Sequence, residues 1–156
     1  MRVDKSNKSE VTMITLKELK GFANIVGTDR DNELSIALFR AVNQVESIAN
    51  VSLSEMTVKL IIDDDVNFQR LYFHPVTEII SVKNIFTGED ESYTTDIDKT
   101  VIKFTNPVPV VIQYKTGVDL IKKLNLRQNI LELAVAYFDG IDEIAPILLK
   151  ISRELC

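Results

Sequence analysis

The heptapeptide Thr28–Leu34, TDRDNEL, gathers four side chains whose oxygens could bind a hard cation: Asp29, Asp31, Asn32 and Glu33. A calcium loop of the EF-hand type needs glycine at its sixth position and a carboxylate at its twelfth. Counted from Asp29, those positions hold Leu34 and Arg40, so the spacing fails. The same residues suit a helix start: Asp31 or Asn32 as N-cap, with Glu33 in the first turn against the free N–H groups. Asp63–Asp65 is a second carboxylate run, but successive side chains on extended chain diverge, which predicts a solvated hairpin tip. Gly88–Glu91 reads the same way. His74 is the only histidine; it precedes Pro75, so its backbone is expected to be extended, and no nucleophile or orienting group accompanies it. Cys156 is the only cysteine, which leaves no intrachain disulfide and no zinc set, and a reduced compartment is the simplest expectation. The glycines are scattered and none opens a phosphate loop. No catalytic residue, cofactor or metal site is assigned.

One locally basic stretch remains, Tyr114–Lys123, YKTGVDLIKK. Lys115, Lys122 and Lys123 could meet phosphate or a neighbour's carboxylates. Val118, Leu120 and Ile121 within it need cover, from the chain's own core or from another subunit.

The elements that must position these residues follow from periodicity. Thr15 and Glu18 have capping-box spacing, and Leu16, Leu19, Ala23 and Val26 form one face, predicting a helix over 15–26 closed by Gly27. Leu34, Leu38, Ala41, Val45 and Ile48, widened by Phe39 and Val42, predict a second helix over 32–49. From residue 57 to 114 the pattern turns β-branched and alternating, and connections too short for crossover helices imply antiparallel hairpins. Helical spacing returns over 126–139, with Asn125 as N-cap and Ile130, Leu133, Ala134 and Tyr137 inward. Pro146 opens a last helix, 146–155, with Leu148, Ile151 and Leu155 on one face. The fold class is therefore α+β: a bundle of two N-terminal and two C-terminal helices with a block of β-hairpins inserted in sequence. Residues 1–13 read as a flexible polar arm and 14–156 as one domain.

The bulk numbers agree with such a protein. The 156 residues are 46% hydrophobic and 26% charged, with a net charge of -5. No run reaches the roughly 18 apolar residues that span a bilayer, and the first residues lack the apolar core of a signal peptide. The acidic balance disfavours tight, general nucleic-acid gripping.

The order of these motifs resembles the head–tail connector (adaptor) proteins of long-tailed bacteriophages. The opening ITLKELKG matches that family's first short helix at Thr15, Leu16, Glu18 and Lys20; Asp29, Asp31, Leu34 and Ile36 match its acidic turn, and Ala41 and Glu46 its longer helix. HPVTEIISVKNI resembles its proline–valine strand at Pro75, Val76, Ile79 and Val82. Tyr114 and Gly117 end a strand as in relatives, Ile130, Leu133, Ala134 and Tyr137 match the third helix, and Pro146, Leu148, Leu149 and Arg153 the closing one. The proline that often precedes the third helix is replaced by Lys123-Leu124-Asn125, and Met13 sits where relatives often begin.

The resemblance implies a non-enzymatic virion protein of the neck at the portal vertex, assembled in the host cytoplasm. It implies a homo-oligomeric ring, commonly a dodecamer and in some cases a monomer when isolated. The ring lies under the portal protein, extends the DNA channel and docks a stopper or tail-terminator protein. Genomic DNA would pass without sequence specificity, and no membrane is involved. A stopper or tail-completion protein is the alternative within the neck. From another class, a small hydrolase would need paired carboxylates in a cleft. Interface residues are expected at Lys115, Val118, Leu120, Lys122, Lys123 and Arg153, and in the N-terminal arm.

Overall fold

The computed structural model describes residues 1–5 and 14–155. In chain order they form β1 (Arg2–Lys5), α1 (Leu16–Phe22), α2 (Asp31–Ala49), β2 (Met56–Ile62), β3 (Phe68–Arg70), β4 (Val76–Asn84), β5 (Tyr93–Thr95), β6 (Val101–Phe104), β7 (Val110–Thr116), α3 (Leu124–Phe138) and α4 (Ala145–Leu155). The α+β class, with two helices before and two after an inserted antiparallel β region, is as the sequence implies. The chain forms two compact units: a strand unit containing Ser54–Val118 with the N-terminal strand, and a helical unit of the flanking segments.

In the strand unit, the alternation of MTVKLII and VVIQYKT puts every second side chain of β2 and β7 inside. These two strands pair over their whole length, Met56 opposite Thr116 through Ile62 opposite Val110. The four-stranded sheet runs β1-β2-β7-β4, and a three-stranded sheet runs β3-β6-β5. Among the described residues only β5 and β6 pair as a hairpin joined by a short turn; β1 pairs with the next strand, β2, with α1 and α2 between them in sequence, and the other pairings join strands that are not consecutive. Arg2–Lys5, expected within a flexible arm, pairs as β1 against β2; the remainder of that arm lies outside the described residues. The core gathers Val58, Leu60, Leu71, Ile102, Ile112 and Tyr114. Each fully buried aliphatic side chain contributes roughly 2 kcal/mol.

Tyr114 also carries a hydroxyl into this core. It accepts a hydrogen bond from Tyr72 N (3.1 Å) and donates one to Tyr72 O (3.2 Å), so the buried polar group is satisfied twice. Next along the chain, Thr116 Oγ1 donates to Pro75 O (2.9 Å) and Gly117 N to the same oxygen (3.1 Å). Gly117 has φ +143°, and a Cβ there would lie 2.6 Å from Ser54 O. Only glycine fits this close approach. The His74–Pro75 peptide is cis.

In the helical unit, α2 packs on α3, α3 on α4, and α1 on both α2 and α3. Leu34, Ala37, Leu38, Ala41 and Val45 form the buried stripe of α2. Ile48 and Phe39, expected on that stripe, are 62% and 70% exposed. Leu126, Ile130, Leu131, Leu133 and Ala134 are buried on α3, and Ile151 on α4. Thr15 Oγ1 caps α1 by accepting from Glu18 N (3.2 Å). That helix ends at Phe22 rather than at 26, because Asn24 turns to φ 55°. Ala23 becomes the C-cap, and Val26 leaves the predicted face altogether.

Candidate functional site

Two of the three carboxylates that opened the question, Asp31 and Glu33, are committed to local pairs. Asp31 accepts from Lys20 Nζ at 2.7 Å, and Glu33 from Arg30 Nη2 at 2.6 Å. Neither Asp31 nor Asn32 caps α2. Its N-cap is Arg30, with no side-chain hydrogen bond, so the predicted cap is corrected to an ion pair across the α1–α2 turn. Asn125 likewise does not cap α3: Lys123 holds the N-cap position, again without a side-chain bond, and Asn125 lies in the first turn. Glu18 uses its carboxylate on Arg127 of α3, which grips it through Nε (2.5 Å) and Nη2, joining the first and third helices. Among the described residues no three His, Cys, Asp or Glu side chains converge on a point that could hold a metal ion. Asp63–Asp65 are all exposed between β2 and β3, Asp63 facing the N-terminal amine at 3.5 Å. These three carboxylates thus lie on an exposed turn, as the sequence predicts.

The residues expected to form an interface separate into two groups. Val118 and Leu120 are buried, 3% and 1% exposed, and belong to the packing of this chain rather than to a docking surface. Gly117 redirects the chain just before them, which the Lys-rich composition of the loop conceals. The charged members stay accessible. Lys115 pairs with Glu78 across the β4–β7 ladder (3.2 Å), Lys122 with Asp119 (3.7 Å), and Lys123 Nζ donates to Glu154 O (3.1 Å). Arg153 is exposed in the last turn of α4.

Two surface features were not legible as sites in the sequence. The first is a recess of about 450 Å³ in the helical unit, lined by Leu16, Lys17, Lys20, Ile25, Val26 and Asp31 among others. It opens because α1 stops early and the chain from Asn24 to Gly27 arches away. Lys20 is held at its edge by Asp31 and the Gly27 carbonyl. The second is the β5–β6 turn of the strand unit. Asp96 Oδ1 accepts from Val101 N (2.9 Å), Thr100 Oγ1 donates to Asp96 Oδ2, and Lys99 Nζ donates to Thr77 O (3.0 Å). These bonds, the one from Thr100 first, hold the Asp96 carboxyl below its ordinary pKa. At the tip of this braced turn Ile97 is 97% exposed. Elsewhere on the helical unit Arg30 and Arg40 lie over the Phe138 and Tyr137 rings, each at 4.2 Å, beside the exposed Ile36 and Phe39.

No protein-family model and no curated protein sequence matches the chain. Solved structures do. A chain in the neck of an empty gene transfer agent (GTA) particle computed with C6 symmetry matches with a TM-score of 0.73 at 15% identity, over 99% of this chain and 95% of that one. A chain in the virion of the native GTA particle matches at 0.73 and 15%, over 98% and 94%. A third, in the neck of the native GTA particle computed with C12 symmetry, matches at 0.65 and 15%, over 99% and 94%. At this identity the likeness is one of fold, and it extends from end to end in both partners of each comparison.

Proposed function

We propose that this chain is a non-enzymatic structural protein of the neck of a phage-like particle, a head–tail connector whose copies form a ring beneath the portal. The observation that carries this reading is the full-length likeness to neck chains from particles computed with C6 and C12 symmetry. The connector motifs at Thr15–Lys20, Pro75–Val82 and Pro146–Arg153 point the same way. An acidic chain suits the wall of a DNA channel, because it repels phosphate and lets the duplex slide without being held. Among the described residues Glu18, Asp31, Glu33, Glu78, Asp119 and Glu132 are in ion pairs, and Asp63–Asp65 lie exposed on a turn. The ring contact is heterologous: one face of each copy meets a different face of the next. Exposed loops and helix ends are the parts that dock the portal above and a stopper or tail terminator below.

A stopper or tail-completion protein differs from a connector in the partner it captures. Purified chain mixed separately with its portal and with its tail tube distinguishes them by co-sedimentation. A connector sediments with the portal. Sedimentation with the tail tube alone would move the assignment to tail completion.

A further inference from the structure

We propose that the β5–β6 tip is a knob that docks into the α1–α2 recess of a neighbouring copy of this chain. This deepens the ring reading above and rests on it for the identity of the partner.

A fully exposed isoleucine costs nothing to strip of water when it docks, and the turn that carries it is already fixed. Asp96 binds Val101 N and Thr100 Oγ1, and Lys99 N donates to Asp96 O (3.1 Å), so little conformational freedom remains to be lost. A rigid apolar tip of this kind calls for an apolar pocket. The recess provides one: Leu16, Ile25 and Val26 line it, and about 450 Å³ is ample for an isoleucine side chain. Val26 there is 98% exposed, an apolar surface that the single chain leaves uncovered.

Charge selects the same pairing. Ile97 is flanked by Asp96 and Asp98. The recess carries Lys17 and Lys20 against the single carboxylate of Asp31. Lys20 and Asp31 satisfy each other, and neither Lys17 nor Asp98 has an ion-pair partner among the described residues. Among the described residues Lys17 is thus an unpaired cation at the pocket and Asp98 an unpaired anion at the knob. The second recess, beside Arg40, is less suited: it is smaller, about 210 Å³, and has Glu33 on its wall. A knob on one surface and a pocket on another, in every copy, is the arrangement that a closed ring requires.

Disulfide trapping tests this in the full-length chain with Cys156→Ser as background. Ile97→Cys in one preparation is mixed with Gly21→Cys in another under mild oxidation. Gly21 lies in the recess, and a Cβ there meets nothing within 4 Å, so the substitution leaves the fold alone. The expected result is a crosslinked pair formed about tenfold faster than with a control cysteine at the exposed Ile36. Adding Lys17→Glu should slow it by about tenfold, and adding Asp98→Lys to the knob copy should restore it. Crosslinking no faster than the Ile36→Cys control overturns the proposal. If rings appear by electron microscopy without this crosslink, the knob-and-pocket contact is wrong and the ring reading survives. If the crosslink forms and reverses with charge but gives only open chains, the contact stands and the ring reading fails.

Discussion

In the strand unit the buried hydroxyl of Tyr114 is held by the Tyr72 backbone, Pro75 O accepts from Thr116 and Gly117, and the Gly117 backbone lies close against Ser54. In the helical unit the corresponding work is done at the surface of the core, by ion pairs: Arg127 with Glu18 and Lys20 with Asp31. The outer faces of the helices meanwhile carry Ile36, Phe39 and Leu149 into solvent. One unit is fixed by close approach that tolerates no added atom. The other is fixed by pairs that can be exchanged, and it holds apolar surface in reserve. The difference teaches that the sensitivity of this chain to mutation should be uneven, steep where the backbone is crowded and shallow where side chains pair.

The steepest effect is expected at Gly117→Ala. The added Cβ meets Ser54 O and the Glu55 backbone at φ +143°, and loss of about 3 kcal/mol is predicted by chemical denaturation. A loss below that of an ordinary surface change would show the strand unit to be more compliant than described. Arg127→Met should cost about 2 kcal/mol, less than for a fully buried pair because both side chains keep some contact with water. Its partner substitution Glu18→Gln should be partly redundant with it in a double-mutant cycle.

Tyr114→Phe is predicted to cost about 1.5 kcal/mol, since Tyr72 N and O lose their shared partner. The same residue gives the strand unit a pH signature. Burial, opposed by the bond to the Tyr72 backbone, pushes the phenol from 10.0 up to about 12. The unfolded chain therefore releases this proton first as pH rises. The contribution is intact below pH 10 and lost between about 10 and 12. Denaturant midpoints of the wild type should fall more steeply across that window than those of Tyr114→Phe.

The smallest effects separate two neighbours. Asp31→Ala should cost about 0.5 kcal/mol by removing the pair with Lys20, whereas Asn32→Ala should be near neutral, because its side chain caps nothing. Equal losses of about 1 kcal/mol at both positions would restore the cap that the sequence suggests.

That pair of residues also illustrates what the sequence makes legible. Helix existence is written in spacing: Leu34, Leu38, Ala41 and Val45 lie on the buried face as periodicity requires. Spacing gives an angle around a helix but not what lies opposite. Ile48 has the right angle and still ends in solvent, near the end of its helix. The cap expected at Asp31 does not form, because its carboxylate is taken by Lys20, eleven residues earlier, which no local rule brings near. Strand existence was equally legible in MTVKLII and VVIQYKT, while their pairing with each other across some fifty residues was not, since alternation is the same for any partner. The apolarity of Val118 and Leu120 called for cover from the core or from another subunit, and sequence could not choose between them; both are buried within this chain. The recess and the Ile97 tip depend on where α1 stops and how one turn is braced, which composition does not encode.

Negative-stain imaging of the purified chain, alone and mixed with its portal, tests the central claim most directly. The account predicts ring-shaped particles with a central hole, at least when the portal is present as a template. Particles that remain single subunits under both conditions would contradict it.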